Sequence, residues 1–337
     1  MSDKGKSGDL LLSQLDNIAS GYRASQVLFA ANRLGLFDAL LEKQRTAEEL
    51  SKILKADLRG TVVLCNALAG LGLIRKRGGV YGLSVVAKKY LVKDSLYSQQ
   101  ALLLHNAALY EKWGRLYDVV KTGRPVPREF VSPELRGDEV SFARAMASSA
   151  ALGAAETVEA IDLRNTNTML DIGGGPGIYA IEFARRQPSL RVTIMDDSKT
   201  LEVAQENVKR AGLADRIELK AGNALVDDVG GGYDLILISN VIHQYSVDKN
   251  IELIKRAASA LSCGGRVCIK DFLLNPCRTK PLKASLFAVN MLVNTEGGNC
   301  YTVDDVKGWL KAVGLKPSKV VQLSDPSRIV IGTKGKA

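Results

Sequence analysis

No apolar run in this sequence is long enough to cross a bilayer, which takes about 18 residues. The closest candidate, residues 62–74, is interrupted by Asn66 and by glycine and other small residues. Residues 1–9 are polar and lack the apolar core of a signal peptide. The sequence therefore predicts a cytoplasmic protein with no membrane partner.

Cysteine and histidine are also scarce. None of the five cysteines forms a Cys-x-x-Cys pair, and the only histidines are His105 and His243. A structural zinc site needs paired soft ligands, and regularly spaced cysteines in a short secreted chain are typical of a disulfide framework. We therefore expect no metal and no disulfide. The cysteines are Cys65, Cys263, Cys268, Cys277 and Cys300.

The positive charge of the chain lacks the clustering expected of a nucleic-acid-binding surface. The net charge is +10, but the basic residues occur in short separate groups at 75–77, 88–89, 185–186 and 209–210, without interleaved aromatics. Binding to nucleic acid usually requires one continuous basic patch. We interpret the charge as a solvated basic surface and predict no nucleic-acid partner.

The most informative stretch that is present is residues 169–177, MLDIGGGPG. An apolar run ends in a glycine cluster, and a helical pattern follows over residues 178–186. This predicts a strand, a tight loop and a helix start, the arrangement that brings backbone close to a nucleotide-like ligand. Glycines permit that approach because they carry no Cβ, and the N–H groups at the helix start can hold an anion.

The spacing of the glycines differs from that of a dinucleotide-binding loop. In a G-x-G-x-x-G pattern counted from Gly173, the last glycine would fall at Ile178. The next strand, residues 191–195, ends at Asp196 and Asp197, about 20 residues beyond the glycines. A carboxylate there can bind both hydroxyls of a ribose. The alternative is a surface pair that opens the helix over residues 199–211.

The first hundred residues predict a winged helix. Helical spacing covers residues 10–19 and 24–34, and Thr46 with Glu49 forms a capping box for a helix ending near Leu54. Asp57 caps a further helix that runs through Leu71. Residues 73–76 and 80–83 form a hairpin around the Gly78-Gly79 turn. The second helix, residues 58–71, has a single arginine, which favours a dimerisation or lid role over DNA contact.

From residue 101 the pattern is helical, with an irregular crossing at residues 123–127 and one long alanine-rich helix over residues 142–161. From residue 167 strands and helices alternate, and the chain ends in an antiparallel hairpin of residues 317–323 and 327–332. This order predicts a doubly wound, mostly parallel α/β domain with its ligand at the carboxyl ends of the strands. The predicted strands are residues 168–172, 191–195, 217–221, 233–239 and 266–271, with helices between them.

Polar side chains follow several of these strand ends. Asn223 follows the third strand, where it can bind an adenine or simply form a turn. Ser239 and His243 follow the fourth strand, and Asp271 ends the fifth. A carboxylate on the neighbouring strand would fix the imidazole tautomer and raise its basicity, so we favour a catalytic His243. His105 lies in a leucine-rich helix and is interpreted as packed or interfacial.

Together these motifs resemble the S-adenosylmethionine-dependent small-molecule O-methyltransferases, a family that includes caffeate, flavonoid and acetylserotonin methyltransferases and bacterial antibiotic-tailoring enzymes. The resemblance covers nearly the whole chain. It is carried by residues 21–25 and 31–38, by the segment from Trp113 to Pro125 and by the glycine loop of residues 170–177.

The resemblance implies a winged-helix dimerisation domain over residues 1–100 and a helical linker and substrate-pocket segment over residues 101–165. A Rossmann-like class I methyltransferase domain would follow over residues 166–337. It also implies S-adenosylmethionine as cofactor, a homodimer, and transfer of a methyl group to a hydroxyl of a small aromatic molecule. N- or C-methylation, other chemistry with the same cofactor, and a ligand-sensing DNA-binding regulator stay open as alternatives.

The resemblance also implies roles for single residues. Gly173 and Gly175 would contact the methionine end of the cofactor, Asp196 its ribose and Ser239 its pocket. His243 would be the general base and Asp271 its supporting acid. The remaining positions would be Asn223 and Ala224 beside the adenine, and Asn290 and Met291 in the substrate wall.

One position departs from the family pattern. The second supporting glutamate of a GG-x-E-x-T motif is replaced by Cys300, within residues 297–302. Without that carboxylate His243 is less firmly oriented. Three explanations are open: Asp271 suffices, the acceptor is acidic enough to need little help from a base, or the chemistry is not phenol methylation.

Overall fold

The structure is a computed structural model that describes residues 3–335, with side chains from residue 11 onward. The chain divides into two compact units, residues 1–107 and 108–337. Residues 1–2 and 336–337, the outer ends of the first and third predicted domains, lie outside the described part. Within that part, no helix combines the length and the apolar character needed to cross a membrane.

The first unit is mainly helical and carries a small antiparallel sheet. Its elements are α1 (Asp3–Ser20), α2 (Tyr22–Arg33), α3 (Leu36–Ala39), β1 (Arg45–Thr46), α4 (Ala47–Leu54), α5 (Leu58–Gly70), β2 (Ile74–Arg77), β3 (Val80–Leu83) and α6 (Val85–Tyr90). The sheet has the order β1-β3-β2, and the helix α7 (Gln100–Trp113) leads on to the second unit.

Local sequence signals explain these elements. The capping box is confirmed, because Thr46 accepts a hydrogen bond from the Glu49 N–H and the Glu49 side chain accepts one from the Thr46 N–H. Asp57 caps α5 by accepting from the Gly60 N–H at 2.7 Å. The predicted hairpin is also confirmed, although the sequence did not reveal the two-residue strand β1, which pairs with β3.

The second unit is a doubly wound α/β domain preceded by helices, as predicted. Its elements after α7 are α8 (Leu116–Thr122), α9 (Glu139–Ala150), α10 (Ala154–Glu159), β4 (Thr168–Ile172), α11 (Ile178–Arg186), β5 (Arg191–Asp196), α12 (Ser198–Ala211), β6 (Ile217–Ala221), β7 (Tyr233–Ser239), α13 (Val247–Ala260), β8 (Leu261–Asp271), α14 (Leu282–Asn294), α15 (Val303–Ala312), β9 (Lys316–Gln322) and β10 (Arg328–Thr333).

The sheet of the second unit has the order β6-β5-β4-β7-β8-β10-β9. Strands β4 to β8 pair in parallel, and β10 pairs antiparallel with β8 and β9, which confirms the terminal hairpin. Apolar clusters cover both faces of the sheet. The chain order reverses between β4 and β7, so the ligand crevice of such a sheet is expected at their carboxyl ends.

Two helix predictions are wrong. Residues 142–161 form α9 and α10 rather than one helix, because the chain turns at Gly153, which has a non-helical φ of −124°. That turn lets α10 bury Ala154 and Val158 in the core. Residues 222–232, between β6 and β7, contain no helix. They include Gly230 and Gly232 at φ of 80° and 79°, a conformation that ends a helix.

Candidate active site

The loop after β4 is closely packed, and its packing explains the glycine cluster. Gly173 has φ of +66°, and a Cβ there would lie 2.6 Å from Val241 Cγ2. A Cβ on Gly174 would lie 2.7 Å from the carboxyl carbon of Asp171 and 2.9 Å from Ile194. Any larger residue at these two positions would therefore displace the loop from the sheet. A Cβ on Gly175, in contrast, would meet no atom closer than 4.0 Å, so the loop has open space there.

The two aspartates that follow β5 have different partners. Asp196 accepts hydrogen bonds from the N–H groups of Gly175 and Asp197, both at 2.8 Å, and so ties β5 to the glycine loop. Asp197 instead caps α12 by accepting from the N–H groups of Lys199 and Thr200, both at 3.0 Å. The helix-opening alternative therefore describes Asp197, and Asp196 is the carboxylate that faces the loop.

A third carboxyl, Asp171, was not among the residues singled out from the sequence. It is 1 % exposed on β4, and neither carboxyl oxygen has a hydrogen-bond partner among the described residues. Burial, with repulsion from Asp196, raises the pKa of Asp171 to about 8. Burial also raises the pKa of Asp196 to about 6, against the lowering effect of its two backbone donors. An acidic residue at the end of a buried apolar strand was the signal available in the sequence.

This buried carboxyl makes the stability of the protein pH-dependent. The pKa of the Asp171 carboxyl is about 8 in the folded protein, against an ordinary value of 3.8. Between these two pH values the folded state therefore binds a proton that the unfolded state has lost. The free energy of unfolding should therefore fall as the pH rises from about 4 to about 8, by an amount on the order of a few kcal/mol. Asp171→Asn should flatten this fall and raise Tm at about pH 9 by a few degrees.

Thermal unfolding at about pH 5 and about pH 9 measures the effect. The matched control is Asp94→Asn, which alters an exposed carboxylate of the first unit and should leave the pH slope unchanged. A wild-type slope in the Asp171→Asn protein would show that Asp171 is ionised when folded.

His243 and Asp271, predicted from neighbouring strand ends, lie together. His243 follows β7 in a short 3-10 turn, and its Nδ1 lies 2.9 and 3.0 Å from the two carboxyl oxygens of Asp271. Both residues are buried, and Asp271 also accepts from the backbone N–H groups of His243 and Phe272 at 3.3 and 2.8 Å. This contact favours the tautomer with the proton on Nδ1, which leaves Nε2 able to accept a proton.

The other predicted positions make more local contacts. Asn223 is exposed, and its side-chain oxygen accepts from the Leu225 N–H at 3.0 Å, as in a turn. Ala224 is buried in the apolar cluster beneath it. Ser239, at the end of β7, is buried and lies beside Asn240. The buried oxygen Oδ1 of Asn240 has no partner among the described residues.

The predicted substrate wall lies on α14. Met291 is buried, and Asn290 accepts hydrogen bonds from the Trp113 indole N–H at 2.9 Å and from the Asn294 amide at 3.1 Å. Cys300 is 1 % exposed in an apolar cluster, and burial raises the pKa of its thiol to about 12. It is therefore neutral and supplies no second negative charge near Asp271.

The two units match two family models. An O-methyltransferase domain covers residues 116–315, and an O-methyltransferase dimerisation domain covers residues 17–93. A 3-hydroxy-5-methyl-1-naphthoate 3-O-methyltransferase of Streptomyces sahachiroi is 30% identical over 328 residues, 95% of this chain and 94% of the relative. Mouse acetylserotonin O-methyltransferase is 30% identical over 304 residues, 84% of this chain and 78% of the relative.

A solved structure of human N-acetylserotonin methyltransferase in complex with S-adenosylmethionine superposes with a TM-score of 0.87. It is 26% identical in sequence and covers 97% of this chain and 98% of the human one. The chain belongs to the S-adenosylmethionine-dependent small-molecule O-methyltransferase family. This confirms the predicted family, fold class, cofactor and enzyme class, and it favours transfer to oxygen over the N- and C-methylation and regulator alternatives.

Proposed function

We propose that this enzyme methylates a hydroxyl of a small aromatic molecule, with His243 as the general base and Asp271 as its supporting acid. The observation that carries the proposal is the buried contact of 2.9 Å between His243 Nδ1 and Asp271. It lies at the carboxyl ends of β7 and β8, the edge where the glycine loop leaves β4. A base at this edge stands where an open α/β sheet binds its ligands.

The residues around the loop fit S-adenosylmethionine. A Cβ on Gly175 would meet no atom closer than 4.0 Å, so the loop leaves room for a ligand at that position, and we assign Gly173 and Gly175 to the methionine end. The carboxylate of Asp196, whose pKa of about 6 leaves it mostly ionised at neutral pH, suits a cofactor with net positive charge. In this proposal Asp196 binds the ribose.

The proposed adenine and pocket residues lie at neighbouring strand ends. Asn223 and Ala224 follow β6 and flank the adenine in this proposal, although the Asn223 oxygen is engaged in its own turn. Ser239 ends β7 and lines the cofactor pocket. Met291, buried on α14, forms part of the acceptor wall, and Asn290 holds that wall to Trp113.

When bound, S-adenosylmethionine supplies a methyl group that is already strongly electrophilic. The protein therefore has to align the acceptor, exclude water and remove one proton. His243 Nε2 takes the proton from the acceptor hydroxyl. Asp271 holds the imidazole in the required tautomer and stabilises the imidazolium that forms.

An aromatic acceptor is supported by the names of the relatives, a naphthoate and an acetylserotonin methyltransferase. The test uses S-adenosylmethionine with a ¹³C-labelled methyl group and a panel of hydroxynaphthoates, phenols and aromatic amines. Mass spectrometry and NMR of the product should show the label on a phenolic oxygen. A label found only on nitrogen or carbon across the panel would contradict the proposal.

We also propose that the enzyme is a homodimer formed through the dimerisation domain, with the domain limits 1–100, 101–165 and 166–337. The support is an apolar row on α1: Leu11, Leu12, Leu15 and Ile18 are between 62% and 80% exposed. Such a row on a soluble chain indicates a surface that is covered in an assembly. The cytoplasmic location stays a prediction.

The dimer proposal predicts that Ile18→Glu converts the protein to a monomer, because a charge buried in an apolar interface costs several kcal/mol. Light scattering on a sizing column measures the mass. Ser13→Glu adds the same charge at another exposed position of the same helix, on the face opposite Leu11 and Ile18 at 3.6 residues per turn, and should leave the dimer intact. A wild-type monomer, or an Ile18→Glu dimer, would sink this proposal.

A further inference from the structure

The backbone of His243 is fixed on both sides. Its N–H donates to Asp271 at 3.3 Å, and its carbonyl accepts from the Asn299 N–H at 2.9 Å. The side chain can still turn about its Cβ–Cγ bond, and such a turn would carry Nδ1 away from Asp271. Because Cys300 is neutral, Asp271 is the carboxylate that opposes this rotation.

An aromatic ring supplies a second restraint. The ring of Phe287, on α14, lies 4.9 Å from the imidazole of His243 between centroids, at an interplanar angle of 89°. Perpendicular aromatic pairs at this distance attract each other beyond the burial of their surfaces. Their geometry is specific, because rotation of either ring ends the edge-to-face contact.

Phe287 is itself held in place. Phe272, directly after Asp271, meets it at 4.9 Å and 68°. Both phenylalanines pack on a buried cluster of Leu274, Ala284 and Cys300. The cluster thus holds the ring of Phe287 against the imidazole. Cys300 fills part of this cluster with a neutral side chain, where a glutamate would place a negative charge.

We propose that Phe287 is a positioning residue for the general base, which holds the His243 imidazole in its catalytic rotamer by perpendicular contact. This inference rests on the proposed role of His243. Phe287 acts through the imidazole rather than on the reacting atoms. Its loss should therefore alter the tautomer and mobility of the ring as well as the rate.

The test exploits the two histidines of the chain. In full-length protein labelled with ¹⁵N-histidine, NMR shows two imidazoles, and His243→Asn identifies the signals of residue 243. The wild-type ring should be a single tautomer with Nδ1 protonated. Phe287→Leu should give mixed or exchanging tautomers and lower kcat about three- to tenfold, as expected for one aromatic pair. Affinity for S-adenosylhomocysteine should be unchanged.

Two further variants separate positioning from general packing. Phe287→Tyr keeps the ring and should restore the wild-type imidazole signals. Phe272→Leu removes a ring of the same size from the same cluster without touching the imidazole, and should change those signals much less than Phe287→Leu. Binding of S-adenosylhomocysteine shows that each variant is folded.

Wild-type imidazole signals in Phe287→Leu, or equal changes in Phe272→Leu, would overturn the inference. Failure of the proposed function is distinct: it would appear as full activity in His243→Asn, whatever the spectrum of the Phe287 variants. If His243→Asn is inactive and Phe287→Leu retains the wild-type spectrum, only the positioning role is lost.

Discussion

Replacing His243 by alanine should lower kcat for methyl transfer by about 10²- to 10⁴-fold, the usual contribution of a positioned general base. The reason is the buried contact of Nδ1 with Asp271, which leaves Nε2 to accept the proton of the acceptor. Affinity for S-adenosylhomocysteine should differ from that of the wild type by no more than about twofold, because in this proposal the imidazole accepts the proton of the acceptor and does not bind the cofactor. Steady-state kinetics and calorimetry measure the two quantities.

The same variant can distinguish the explanations for Cys300. If Asp271 suffices to support the imidazolium, His243→Ala should lose most rate on weakly acidic phenols, and the loss should shrink as the acceptor hydroxyl becomes more acidic. A series of phenols with graded pKa values measures this slope. Equal rates for wild type and His243→Ala across the series would remove His243 from the chemistry.

Replacing Asp196 by alanine should weaken binding of S-adenosylhomocysteine by about 100-fold. Two hydrogen bonds from ribose hydroxyls to a carboxylate are expected to be lost, each contributing about 1.5–3 kcal/mol, and part of that loss is recovered through water. The variant also breaks the contact of 2.8 Å with the Gly175 N–H that ties the loop to β5. Calorimetric titration measures the affinity.

The adjacent residue provides a matched control. Asp197→Ala removes the cap of α12 and should lower stability by about 1 kcal/mol, with cofactor affinity nearly unchanged. Equal losses of affinity in the two variants would mean that both act by destabilising the protein, and not through a contact between Asp196 and the ribose. No loss in Asp196→Ala would mean that the ribose binds elsewhere.

The sequence was sufficient for the core of the catalytic domain. The bounds predicted for β4, α11, β6 and β7 match the structure because each is a short apolar run or helical pattern between glycine and polar residues. The break at Gly153 was missed because helical spacing continues on both of its sides. The turn between α9 and α10 is decided by the packing of α10 on the core, a long-range effect.

The candidate site, like the fold, was predictable from the sequence only where local patterns determine it. The rule that polar residues gather at the carboxyl ends of parallel strands brought His243 and Asp271 together from the sequence. Phe287 comes from a distant helix, and only the packing of α14 places it against the imidazole. The orphaned oxygens of Asp171 likewise appear only once the loop is folded over them.

The most direct test of the account is a crystal structure of the enzyme with S-adenosylhomocysteine. We expect both ribose hydroxyls on the carboxylate of Asp196 and the purine beside Asn223 and Ala224. The sulfur should lie on the side of the pocket nearest His243. A cofactor bound away from the glycine loop, or a ribose without contact to Asp196, would contradict the account.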